Sequence, residues 1–330
     1  MNTAVFSITI AVTATSIWAS SPDLSSPVET NPVETKPLFD DFLSGTLDSR
    51  IWLIARTQWG GKNVNGGVVP DNLHVKFDKL IINGHGDNYT GSVKGVQLTV
   101  PGKVSPIAHG RRTGGCLVTR DCYASGRYEV RMKVPQNIGV CTALWTFHYL
   151  EVGSQHEEYI TNKGKGDIYI SNHEIDIELP GRPNSKAVGI GYDWVLFNTW
   201  VGERDREMTF GPTKLPFKAN DGKFHTWRID WHTGDPEGTT GKVIEPRVDF
   251  FLDGELIRTI TTTVPVDAGH FWIGLWFPNK WAGEPDFDVD TLEIDWVRIT
   301  PFHEPRDRHK YSQPGPGRFL LGPEYWPERL

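Results

Sequence analysis

Apolar residues recur at every second position in GRYEVRMKV (126–134), TALWTFHYL (142–150), FHTWRIDW (224–231), RVDFFLDGELI (247–257) and TLEIDWVRIT (291–300). Side chains alternate across an extended strand, so each run buries one face and frees the other. No long segment repeats apolar residues at the 3.6-residue period that an amphipathic helix needs. LHVKF, KLIING and GVQLTV extend the set, and Gly, Pro, Asn and Asp separate its members. In VDFFLDGELIR the pair Asp253-Gly254 sits between two alternating runs, a strong signal for a tight hairpin turn. Many short strands with such punctuation predict an all-β chain folded as a two-sheet antiparallel β-sandwich.

With 330 residues the chain fits one large all-β domain or two ordinary ones and can bury a sizeable core. Its net charge of −7 and scattered basic residues argue against a nucleic-acid partner, while 13 Trp lean weakly toward sugar binding. Residues 1–19 carry an apolar run too short for a membrane span and free of charge, although MNT lacks the usual Lys or Arg. They read as a signal peptide, which implies a secreted, periplasmic or cell-surface protein with no membrane span in the mature chain. Residues 20–37 repeat PVETN and PVETK among Pro and Ser, the composition of a linker. The sandwich is expected over 38–302, followed by a Pro-rich charged tail, 303–330, that wraps the surface or hangs free. Only Cys116, Cys122 and Cys141 are present, so at least one thiol stays unpaired within the chain, and their spacing makes no zinc ligand set. Asn88-Tyr89-Thr90 is a glycosylation sequon.

Within SNHEIDIELPGRP (171–183), Glu174, Asp176 and Glu178 alternate with Ile175 and Ile177. The isoleucines point into a core and the carboxylates share the opposite face. Like charges stacked this closely repel, and each raises the pKa of its neighbours. A solvated sheet edge is the plain explanation of the pattern; a carboxylate-bearing cleft is the other. Glu293-Ile294-Asp295 begins a second such pattern, but Val297 stands at the next in-phase position, which marks it as structural.

HEIDIE, preceded by FDDFLSGTLDSRIW and GRYEVRMKVPQNIGVCTALWTF and followed by FHTWRIDW, VDFFLDGEL and LEIDWVRI, resembles glycoside hydrolase family 16, piece by piece and in order. The resemblance spans residues 38–302 and implies a β-jelly roll of the concanavalin A-like kind. It implies a retaining endo-β-glycanase acting on a β-glucan or β-galactan type polymer, with a glycan as partner, a monomeric state and no cofactor; a structural calcium ion is left open. Glu174 would be the nucleophile, Glu178 the general acid/base and Asp176 the helper between them. Retaining hydrolysis needs two carboxyl groups about 5–5.5 Å apart. Four residues of flat strand separate Cα atoms by about 13 Å, so curvature and inward-leaning side chains must close the gap.

Trp145 and Phe147 alternate onto one face and are candidates to meet substrate, Trp145 by family likeness beneath the sugar at the cleaved bond. Asn198 and Trp200 likewise share a face, and His225 lies where the family often has a His. His173 points to the opposite side of the strand from Glu174. Leu179-Pro180 follows the acids where lichenase-like members show an aromatic, so mixed-linkage specificity is not carried over, and the insert-free acid strand fits a standard laminarinase poorly. Arg111, Arg112, Arg182 and Arg204 could meet an anionic or sulfated polymer or be solvated surface residues. The competing readings are a transglycosylase of the same family and a non-catalytic carbohydrate-binding jelly roll, which would have no need of both glutamates.

Overall fold

The computed structural model describes residues 35–56, 65–91, 97–100, 103–105, 111–161, 168–180, 191–202, 207–278, 281–310 and 312. The strands in chain order are β1 (Leu38–Asp40), β2 (Trp52–Ile54), β3 (Asn65–Val68), β4 (Leu73–Lys76), β5 (Lys79–His85), β6 (Gln97–Val100), β7 (Lys103–Ser105), β8 (Arg112–Tyr123) and β9 (Gly126–Lys133). They continue as β10 (Cys141–Gly153), β11 (Ile168–Leu179), β12 (Trp194–Val201), β13 (Glu207–Lys214), β14 (His225–His232), β15 (Arg247–Leu252), β16 (Glu255–Ile260), β17 (Gly269–Trp276) and β18 (Val289–Pro301). A single short α-helix, Glu157–Thr161, is present among the described residues.

Hydrogen-bonded neighbours run β13-β12-β11-β10-β17-β8 and then, through β5, β18-β9-β14-β15-β16. At the junction β8 and β5 share only the pair His85 and Thr113, and there the sheet folds over on itself. The two halves meet face to face. Phe197 of β12 stacks on Phe250 of β15 at 4.4 Å, and Tyr128 of β9 lies 5.2 Å from Phe271 of β17, although neither pair is adjacent in the ladder. The resulting core takes Ile175 and Ile177 from β11, Trp227, Ile229 and Trp231 from β14, and Ile294, Val297 and Ile299 from β18. Each fully buried aliphatic side chain contributes about 1.5–3 kcal/mol, so the two β11 isoleucines alone can offset several kcal/mol of repulsion on the opposite face.

Local chemistry sets the turns and close approaches. Asp253 and Gly254 take left-handed φ of 50° and 88°, and the Asp253 carboxylate accepts the Thr226 amide at 2.8 Å, closing the β15–β16 hairpin onto β14. Gly269 is required where β17 meets β10: a Cβ there would lie 2.4 Å from the Phe147 backbone. The first described strand, β1, begins at Leu38, and buried contacts continue past residue 302. Glu304 accepts the Gly234 amide at 2.7 Å, Arg308 pairs with Asp267 at 2.7 Å, and the Ser312 hydroxyl accepts the Tyr149 amide at 3.1 Å. This part of the tail is a strap tying the second half of the sandwich to the end of β10. Residues 1–34, and with them the signal-peptide segment and most of the linker, lie outside the described residues.

Candidate active site

β11 is flanked by β10 and β12, and the register puts Phe147 and Trp200 beside Glu174, Trp145 and Asn198 beside Asp176, and Ala143 and Leu196 beside Glu178. Residues paired across a ladder share a face, so these side chains surround the carboxylates. β17 extends the rows: Trp272 lies beside Trp145 and Gly274 beside Ala143. Trp145 stacks on Trp272 at 5.1 Å, and Phe147 meets Trp272 edge-on at 6.4 Å. The acids therefore stand beside an aromatic floor of largely buried, mutually stacked rings.

Next to that floor a row of small residues, Cys116–Gly274–Ala143, runs across the sheet to Glu178. A Cβ on Gly274 would come within 2.4 Å of the Cys116 sulfur, so the row must stay low. Trp276, beside Cys141, forms its far wall, with Trp281 edge-on at 5.7 Å. Ala143 and Cys116 in this row are themselves buried, packed in one apolar cluster with Trp145 and Trp272.

Two of the three carboxylates are held by residues of β12. The Trp200 indole N–H donates to Asp176 Oδ2 at 2.7 Å, and the Asn198 amide donates to Glu178 Oε2 at 3.2 Å. Burial, and then the nearby Glu174 charge, push the Glu178 carboxyl up from 4.5 to about 8, while the Asn198 bond opposes the rise. At neutral pH Glu178 thus holds a proton, as a general acid must.

Alternation put Trp145 with Phe147, and Asn198 with Trp200, on one face of each strand as candidates to meet substrate; the register sets both pairs beside the carboxylates. Alternation did not show that the polar atoms of Asn198 and Trp200 reach the carboxylates. His225 is elsewhere: it lies on β14, in the other half of the sandwich, with Nδ1 2.6 Å from Asp253 and Nε2 3.0 Å from Asp221. There it fastens the β15–β16 hairpin, because alternation along β14 aims it with Trp227 and Ile229 toward the interior and not into the cleft. His173 is on the back of β11 as expected, buried between Ser171 and Asp267 at 3.0 and 3.3 Å. Desolvation lowers it to about 4, against the pull of Asp267.

Trp272, Gly274, Trp276 and Trp281 were missed. The run GHFWIGLW carries the first three at alternate positions, and that period was the available signal. Arg112 is engaged by Asp87 at 2.7 Å and Glu284 at 2.6 Å, Arg111 donates to the Tyr89 carbonyl at 3.3 Å, and Arg182 and Arg204 lie outside the described residues. Glu293 and Asp295 are paired with Lys133 and Arg131, a structural ladder. All three cysteines are free thiols. Among the described residues no three His, Cys, Asp or Glu side chains converge as a metal site, and no helix is long and apolar enough to cross a membrane.

A folded-over antiparallel sheet presenting paired glutamates beside an aromatic floor defines a jelly-roll glycoside hydrolase. The chain belongs to the glycosyl hydrolases family 16, whose model matches residues 59–298. It is 27% identical over 228 residues to a β-glucanase of Paenibacillus polymyxa, covering 66% of this chain and 79% of that protein. It is 26% identical to a β-glucanase of Paenibacillus macerans over 54% of this chain and 60% of that protein. With xyloglucan endotransglucosylase/hydrolase protein 3 of Arabidopsis thaliana it shares 29% identity over 58% of this chain and 52% of that protein. The fold is shared with a lichenase derived from a mouse hindgut metagenome, at TM-score 0.54 and 21% identity over 81% of this chain and all of that one.

Proposed function

We propose that the protein is an exported, retaining endo-β-glycanase that cleaves internal linkages of a β-glucan or β-galactan type polymer, working as a monomer without a cofactor. The observation that carries the reading is the row of carboxylates beside Trp145 and Phe147, with Glu178 pushed up to about 8 beside Glu174. In the first step the Glu174 carboxylate attacks the anomeric carbon while the bond to the leaving oxygen breaks. Glu178 delivers its proton to that oxygen. In the second step Glu178, now ionised, takes a proton from water, whose oxygen forms the new bond to the anomeric carbon as Glu174 departs. Asp176, fixed by Trp200, lies between them and can hydrogen-bond the nucleophile. The aromatic floor orients the sugar ring.

A panel of laminarin, lichenan, agarose, carrageenan, keratan and mucin glycans, with products sized over time, tests the activity. Early products of mixed intermediate length support endo action, and release of single sugars from the outset contradicts it. A second reading, transfer to a sugar hydroxyl in place of water, is favoured by the likeness to the Arabidopsis thaliana protein. Products longer than the starting oligosaccharide would support it. Export is tested by the N-terminal sequence of the mature protein in a secreting host: a start near residue 20 supports it, and an intact Met1 argues against it.

A further inference from the structure

Asn198 is 2% exposed; its Nδ2 donates to Glu178 Oε2 at 3.2 Å, while its Oδ1 finds no hydrogen-bond donor among the described residues. An N–H can only donate, so the oxygen it binds must offer a lone pair. A carbonyl-type oxygen accepts an amide N–H better than a hydroxyl oxygen does, so the bond favours the proton of Glu178 on Oε1. We propose that Asn198 is a positioning residue for the acid/base, keeping the proton of Glu178 on Oε1 for delivery and holding the carboxylate ionised when the second step needs a base. This rests on the reading of Glu178 as the acid/base.

The neighbours of Glu178 leave Asn198 a distinct part. Glu174 and Asp176 on the same strand, and the Cys141 thiol on β10, are groups whose ionised forms oppose a charge on Glu178. Paired with it across the ladders are Leu196 of β12 and Ala143 of β10, and Gly274 of β17 follows in the same row; none of these has a polar side chain. Burial and Glu174 both favour the protonated form, and the Asn198 bond acts in the other direction. The two halves of the catalytic cycle make opposite demands on Glu178. A donor on one oxygen serves the base form without taking the proton from the acid form. Asn198→Ala should therefore raise the Glu178 pKa and slow the second step more than the first. A side chain that merely filled space would affect both steps alike.

The decisive experiment has two arms. In the first, the free enzyme is labelled with 13C at the glutamate carboxyls and titrated by NMR, which requires no substrate. Asn198→Ala should move the Glu178 midpoint upward by about one unit, the worth of one hydrogen bond to a charged group. Asn198→Asp, which keeps the shape but replaces the donor by an acceptor, should move it further. In the second arm, pre-steady-state release from the 4-methylumbelliferyl β-glycoside of laminaribiose or cellotriose, whichever the wild type turns over, separates the steps. Asn198→Ala should give a burst equal to the enzyme concentration followed by a steady state about tenfold slower than wild type, with azide restoring the slow phase. An unmoved or lowered midpoint in both variants overturns the proposal. So does an equal fall in both steps. Failure of the wild type to cleave any glycoside would count against the hydrolase reading alone, since the titration stands without it.

Discussion

Glu178 makes the protein's stability depend on pH in a direction that ordinary surface carboxylates do not. With an ordinary value of 4.5 and a native value of about 8, each unit between them is worth about 1.4 kcal/mol. The native state holds the proton more tightly than the unfolded state. Its stability is therefore fully present below pH 4.5 and declines as pH rises toward 8. The linkage relation gives a loss of about 1 kcal/mol at pH 5, roughly 3 at pH 7 and roughly 4 at pH 8. Glu178→Gln keeps the shape and has no proton to lose, so it should be the more stable protein, by an increasing margin. At about 2 °C per kcal/mol for a domain of this size, the melting temperatures should differ by about 2 °C at pH 5 and about 6 °C at pH 7. Thermal melts of both proteins at each pH, followed by circular dichroism, measure it. Glu174→Gln should flatten the wild-type slope in part, because it removes the like charge. A margin that stays constant from pH 5 to 8 would refute the reasoning, since packing effects do not titrate.

Other consequences follow from single side chains. Trp200→Phe removes the indole N–H from Asp176 and should lower kcat by about 10- to 100-fold, the worth of a charge-assisted hydrogen bond, with a smaller change in KM; steady-state kinetics on the best substrate reads both. His173, lowered to about 4 by burial, must gain a proton on unfolding, so stability falls as pH drops from 6.5 toward 4; His173→Gln should flatten that acid limb in pH-dependent melts. Phe77 sits at φ 55° and is 85% exposed, so Phe77→Gly should stabilise the β4–β5 hairpin by about 1 kcal/mol, raising the melting temperature with activity unchanged.

The two-residue period made the sheets legible, because burial of one face is a local property of each run. Asp253-Gly254 was legible for the same reason: its backbone angles are set by the turn itself. So was the acid face of β11, and His173 fell on the back of the strand as parity required. Parity says which face a residue takes, but not which sheet its strand joins. His225 shows the limit: its run alternates as well as any other, yet β14 pairs with β9 and β15 in the opposite half. Strand order depends on contacts between distant segments, and so the placing of β17 beside β10, which brings Trp272 to Trp145, was not written in either run. Nor does alternation give the direction of a polar atom. Asn198 and Trp200 were expected to share a face as candidates to meet substrate, and their N–H groups are on the carboxylates.

The central claim is the division of labour between Glu174 and Glu178, and azide rescue of alanine variants tests it most directly. Glu178→Ala retains the nucleophile, so azide attacks the glycosyl-enzyme and gives a β-glycosyl azide from an activated aryl β-glycoside. Glu174→Ala leaves room on the opposite face, so the same anion displaces the leaving group directly and gives the α-azide. Proton NMR of the anomeric signal distinguishes the two products. The account predicts β from Glu178→Ala and α from Glu174→Ala; the reverse pairing would contradict it.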